Sequence, residues 1–170
     1  MSIQNIVLDI DNTLLHGISK RPSPHSMFDK VPPISPDAED ESYIYYYRPG
    51  VHEFLDKVFS KYNVGIFTAA SSEYAQFIVN SLFKQHKEKL HFVYSQREYD
   101  ECKYITGGMK DLSYVEQKYP LFRSMNTIII DDCYAVKGTN RDKCIQIKHY
   151  KRRNEEHDSD EELSKLMTRM

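Results

Sequence analysis

The stretch that most constrains this chain is Ile6-Val7-Leu8-Asp9-Ile10-Asp11-Asn12-Thr13. The apolar run Ile6-Val7-Leu8 reads as a buried strand. It runs straight into Asp9, with Asp11 and Thr13 following at spacings of two. Side chains alternate on an extended backbone, so Asp9 and Asp11 lean toward one side. Two carboxylates at the end of a buried strand repel each other and are costly to desolvate. Such a pair persists where a cation or a reaction uses it. A nucleophilic aspartate, a second aspartate as acid/base and a metal together make a phosphoryl-transfer centre.

The 170 residues suit one domain with a sizeable core. A net charge of −2 gives no basic field, so neither direct nucleic-acid binding nor attraction to an anionic membrane is expected. Three cysteines (Cys102, Cys133, Cys144), odd in number and without Cys-x-x-Cys spacing, argue against a zinc site or a disulfide framework and for a reducing compartment. The first strand starts too close to Met1 to leave room for a signal peptide, and no apolar run approaches the ~18–20 residues of a membrane span. A nuclear or cytoplasmic location is expected. The sequence leaves the oligomeric state open.

Further along, residues 16–47 read as an insertion, a loose loop or a flap over the site, with prolines Pro22, Pro24, Pro32, Pro33 and Pro36 ahead of an acidic run. Tyr43-Ile44-Tyr45-Tyr46-Tyr47 is a strand candidate within it, its tyrosines either ordinary strand residues or an aromatic wall for a peptide. A helix is expected from Arg48-Pro49-Gly50, with Pro49 in its first turn and Val51, Phe54, Leu55, Val58 and Phe59 as its buried stripe. Strands are expected at 63–68, 90–94, 127–130 and 144–147, and helices at 75–83, capped by Ser71 or Ser72, and at 112–119. Residues 95–110 read as a loop, and Ser159 as the cap of a last helix that buries Leu163. His16, His25 and His52 read as surface histidines, Cys133 and Cys144 as packing residues, and Lys148 to Glu162 with Lys151-Arg152-Arg153 as a solvated linker. Alternating helices and continuous apolar strands argue for a parallel sheet covered on both faces. Ligands of such sheets sit beyond the carboxyl ends of the strands, where Asp9, Thr68 and Asp131-Asp132 all fall.

Asp9-Ile-Asp11-Asn12-Thr13, Phe67-Thr68-Ala69-Ala70 with Tyr74-Ala75, Lys110-Asp111-Leu112-Ser113 and Ile129-Ile130-Asp131-Asp132 occur in this order, with Arg48-Pro49-Gly50 between the first two. As a set they resemble the haloacid-dehalogenase superfamily, and within it the branch of small phosphatases acting on the C-terminal domain of RNA polymerase II. The resemblance implies an α/β, doubly wound Rossmann-like sheet. It implies a single domain over residues 1–170, with the 16–47 insertion and no large cap domain. It implies a Mg²⁺-dependent phosphatase with a phosphorylated protein or peptide as partner, and an aspartyl-phosphate route. Asp9 would be the nucleophile and Asp11 the acid/base. Thr68, Lys110 and Asn12 would bind the phosphate. Asp9, Asp11 through its carbonyl and Asp132 would hold the metal. Thr13 and Asp131 would brace them. Two departures stand out. In the loop before Lys110, residues 103–109, the Arg or His-Arg pair usual in that branch is shifted or lost, with Lys103 the basic residue present, and Asp132 stands where its small phosphatases carry Asn. A phosphotyrosine or small-substrate phosphatase, and a catalytically silent binding module, are the competing readings.

Overall fold

The computed structural model describes residues 2–21, 32–152 and 159–170. Pro22, Pro24, His25 and Arg153 therefore lie outside the described residues. The chain starts with β1 (Asn5–Leu8), then leaves for β2 (Leu15–Ser19), β3 (Ala38–Glu39) and β4 (Tyr43–Tyr47). It returns through α1 (Val51–Lys61), β5 (Asn63–Phe67), α2 (Ser72–Ser81), β6 (Leu90–Tyr94) and α3 (Gln96–Thr106). It closes with α4 (Leu112–Lys118), β7 (Thr127–Asp131), α5 (Tyr134–Asn140), β8 (Cys144–Gln146) and α6 (Glu162–Met167).

Five strands make the central sheet in the order β6-β5-β1-β7-β8, every neighbour parallel. Strand β1 is in the middle, with Val7 opposite Gly65 on one side and Ile129 on the other. Alternation then sorts the apolar residues onto two faces. Ile6, Leu8, Val64, Ile66 and Ile130 pack against α1, α2 and α6. Val7, Phe67, Phe92, Ile129 and Cys144 pack against α3, α4 and α5. This is the doubly wound α/β sheet that the alternating pattern foretold. At Gly65 an added Cβ would lie 2.2 Å from the Phe92 ring, so glycine is what lets that ring lie flat on the strand. Strands β2, β4 and β3 form a separate antiparallel sheet beside the rim, with Leu15 opposite Tyr47 and Ser19 opposite Tyr43. The described part of the 16–47 insertion thus carries a small sheet, and among the described residues no large cap stands over the site.

Several local expectations fail for identifiable reasons. Residues 95–110 are not a loop. Helix α3 starts where Ser95 N–H donates to Glu98 Oε2 at 3.0 Å, and it buries only Cys102, so no apolar stripe announced it. Helix α5 went unread because Tyr-Ala-Val-Lys-Gly-Thr-Asn buries only Val136 and Asn140. Pro49 is not in the first turn of α1. Gly50 is the N-cap at φ 77°, a backbone that glycine adopts without strain, and Pro49 precedes it. The last helix has Glu161, not Ser159, at its N-cap. His16 is buried and accepts a hydrogen bond from Arg152 N–H at 3.2 Å, while Cys133 is exposed and packs in no core. Within the expected linker, Tyr150 is buried and its N–H donates to Asn12 O at 2.7 Å.

Candidate active site

Three neighbouring strands deliver the chemistry to one rim. Asp9 follows β1, Thr68 follows β5, and Asp131 ends β7. Asp9 is 4% exposed, with Lys110 Nζ donating to Oδ1 at 2.5 Å and Thr13 Oγ1 donating to Oδ2 at 2.7 Å. Lys110 Nζ also donates to Asp131 Oδ2 at 2.7 Å. Asp131 Oδ1 accepts from Cys133 N–H at 2.8 Å, so both of its oxygens are engaged. Thr13 ties the strand ends together, because its hydroxyl also accepts from Asp132 N–H at 3.1 Å. The Asp132 carboxylate is half-buried, and its Oδ2 meets His149 Nδ1 at 2.6 Å.

Lys110 is a left-handed residue, at φ 49°, on the loop between α3 and α4. Such a backbone costs a non-glycine residue of order 1–3 kcal/mol and needs surroundings that hold it. Asn140 of α5 does so. Its Nδ2 donates to Lys110 O at 3.1 Å, and its Oδ1 accepts from Leu112 N–H at 3.0 Å. Asp111 then caps α4 through Ser113 N–H at 2.8 Å. The lysine is therefore aimed by two helices that meet behind it.

Each of Asp9, Asp131 and Asp132 offers a carboxylate oxygen, and these three oxygens lie within 4.8 Å of one another. Burial first, and the neighbouring Asp132 second, push the Asp9 pKa up against the opposing pull of Lys110. Burial and Asp9 push Asp131 up to about 7. Burial alone would depress Lys110, but the two carboxylates outweigh it and hold its pKa above the ordinary value. A cluster with more carboxylates than ammonium groups resists full ionisation. That is the charge state a divalent cation with oxygen ligands relieves, and the donor set fits one.

Asp11 faces another neighbourhood. Its Oδ1 accepts a hydrogen bond from the Tyr74 hydroxyl on α2. Burial, then the charge of Asp9, raises its pKa to about 6, and Tyr74 counteracts. Asn12 stands at φ 60°, with its Nδ2 donating to Tyr150 O at 2.9 Å and its N–H to Leu15 O at 2.7 Å, which ties it to the late segment of the chain. Thr68 is buried, and its Oγ1 accepts from Ala70 N–H at 3.1 Å. Among the described residues no hydrogen bond joins Thr68 to the Asp9–Lys110 cluster.

Sequence reasoning passed over Arg48 as a builder of the site. It is 1% exposed and its guanidinium bonds Asp160 twice, at 2.8 and 2.9 Å, Thr13 O at 2.9 Å and Lys148 O at 2.6 Å. It lies 5.3 Å from the centre of the Tyr150 ring. A charged residue before a helix carries no sign that it will be buried. Asn140, Tyr74 and His149 were likewise invisible as partners, because their roles arise only when distant segments meet.

A parallel five-stranded sheet with paired aspartates beyond its central strand, an antiparallel insert after that strand and a lysine from a later loop together define a phosphatase of the haloacid-dehalogenase type. The family model of the NLI interacting factor-like phosphatases matches residues 4–170, and the chain belongs to that family. It is 29% identical over 181 aligned positions to a CTD phosphatase-like protein of Invertebrate iridescent virus 6, covering 96% of this chain and 95% of that one. It is 30% identical over 166 positions to CTD small phosphatase-like protein 2 of Dictyostelium discoideum, covering 96% of this chain and 26% of that longer protein. Among solved structures, the RNA polymerase II CTD phosphatase Fcp1 of fission yeast, bound to beryllium fluoride, superimposes with a TM-score of 0.59 at 18% identity. That match covers 87% of this chain and 42% of that one. A HAD-like hydrolase from Porphyromonas gingivalis gives 0.57 at 12% identity over 98% of both chains. No helix among the described residues is long and apolar enough to cross a membrane.

Proposed function

We propose that this chain is a Mg²⁺-dependent phosphoprotein phosphatase that removes phosphate from serine or threonine through an aspartyl-phosphate on Asp9. A segment like the C-terminal domain of RNA polymerase II is its proposed class of substrate. One observation carries the reading: Asp9 is buried at the rim between Lys110 at 2.5 Å and Thr13 at 2.7 Å, two residues before a carboxyl group with a raised pKa. Among the described residues no large cap encloses the site, which supports a macromolecular ester over a small metabolite. The names of the viral and amoebal relatives point the same way.

The roles follow from charge. A phosphomonoester dianion repels a carboxylate nucleophile, so positive charge at the rim decides whether attack occurs. Lys110 supplies part of it. Asp9, the Asp11 carbonyl and Asp132 would hold a Mg²⁺, which would supply further positive charge. Thr13 fixes the Asp9 carboxylate, Asp131 keeps Lys110 in place, and Thr68 binds phosphate oxygen. Asp9 attacks phosphorus as the bond to the seryl or threonyl oxygen breaks, and Asp11 gives that oxygen its proton. Asp11 then takes a proton from the water that attacks the aspartyl-phosphate, releasing phosphate and restoring Asp9. The test is a phosphopeptide panel at fixed Mg²⁺, setting phosphoserine at each position of a polymerase-tail heptad against phosphotyrosine. Preference for one phosphoserine position is expected. A flat profile would remove the peptide claim and keep the phosphatase; a profile led by phosphotyrosine would replace it.

A further inference from the structure

Asp11 has a problem that its sequence position creates. It follows Asp9 by two residues, and the Lys110 ammonium attracts its carboxylate. An acid that must reach a leaving group cannot lie folded onto that charge. The hydroxyl of Tyr74, on α2, bonds Asp11 Oδ1 and competes with that pull. Tyr74 is itself held closely. It is 8% exposed, with Tyr43 edge-on at 5.0 Å and Tyr45 at 5.3 Å, both from β4. Its hydroxyl occupies a notch in β2 that exists only because residue 17 is glycine. A Cβ on Gly17 would stand 2.4 Å from Tyr74 Oη, and 3.4 Å from Tyr74 Cζ.

We propose that Tyr74, seated in the notch at Gly17, is a positioning residue that aims Asp11 at the leaving oxygen, so that the small antiparallel sheet is part of the active site and not merely its neighbour. The proposal rests on the phosphatase reading above. Gly17 has no conformational need to be glycine, since its backbone lies in an ordinary strand pair with Tyr45. Its need is for space, and the space is filled by one oxygen atom.

That geometry makes a cycle with a distinctive outcome. Parent, Tyr74→Phe, Gly17→Ala and the double variant are compared in Mg²⁺ on p-nitrophenyl phosphate and on a phosphoserine peptide. Tyr74→Phe is expected to lower kcat roughly 10- to 100-fold, with KM held within about threefold. The loss should be larger on phosphoserine, whose alkoxide leaves poorly without a proton. Gly17→Ala should reproduce that pattern by displacing the hydroxyl. In the Tyr74→Phe background Gly17→Ala should add nothing, because the atom that it would strike is gone and the ring carbon at 3.4 Å is in ordinary contact. Thermal unfolding of all four proteins shows that each is folded. Full kcat in Tyr74→Phe, equal losses on both substrates, or losses that multiply in the double variant would overturn the proposal. A parent as inert as Asp9→Asn would overturn the phosphatase reading, and this proposal with it.

Discussion

Asp9 and Asp11 stand two residues apart and are held by opposite means. Asp9 is enclosed from three segments: the Thr13 hydroxyl of its own loop, the Lys110 ammonium of the loop before α4, and Asp131 acting through that lysine, so that a charge is among its direct partners. Asp11 is held by a neutral hydroxyl on α2, backed by tyrosines of β4 and a glycine notch in β2. On the proposed roles, the first arrangement fixes the nucleophile, and the second keeps the proton carrier at the edge of the same field without neutralising it. The lesson is that a site needing one immobile carboxylate and one titrating carboxylate separates them by the kind of partner, not by distance.

The sharpest break in that comparison is Asp9→Asn. It should cost at least about 10³-fold in turnover of an aryl phosphate while unfolding stays within a few degrees of the parent. Turnover at the parent rate would show that the ionic half is not the nucleophilic half. Next comes Lys110→Met, which leaves Asp9 and Asp131 facing each other without their cation. Breaking a buried pair in this way costs about 3–5 kcal/mol. Chemical denaturation should register it, and added Mg²⁺ should recover part. An unchanged midpoint would mean that the lysine serves substrate alone. Arg48→Met comes third. It takes the guanidinium away from Asp160 and from Thr13 O, for an expected loss of about 2–3 kcal/mol, with kcat falling less than in Lys110→Met. The smallest effect lies in pH. Asp11 and Asp131 have folded pKa values of about 6 and about 7, above their ordinary 3.8, so the metal-free protein binds the extra protons. Their contribution to stability is complete below pH ~4 and is lost as pH rises through those folded values. In EDTA, Asp11→Asn should therefore be more stable than the parent at pH 7.5, and no more stable at pH 4. The Mg²⁺-induced rise in Tm should grow from pH 5 to pH 7.5. A rise that is flat across that range would show that a bound cation does not displace the protons of these carboxylates.

The ionic half was legible in the sequence because it is written in short, ordered motifs. Asp9-x-Asp11-x-Thr13, Lys110 and Asp131-Asp132 each mark the end of a strand or a capped helix, and a parallel sheet brings strand ends to one rim. The apolar strands and α1, α2 and α4 were legible for the same periodic reasons. What was not legible depended on pairs that no periodicity encodes. Helix α3 buries one residue and was announced only by Ser95-x-x-Glu98. Asn140 and Arg48 look like surface residues until the loop of Lys110 and the residue Asp160 arrive beside them. Gly17 and Gly50 are the same letter with different duties, one for space and one for a positive φ, and the letter alone does not tell which.

Arg48 also says something about timing. Its guanidinium joins the carbonyl of Thr13 to Asp160, across 112 positions of the chain from its own place. A growing polypeptide that has made every motif of the rim, but has not reached Asp160, still holds a buried cation without its acid. The loop carrying the first two aspartates, although among the first parts to be made, therefore has its full set of native partners only once Asp160 has been added.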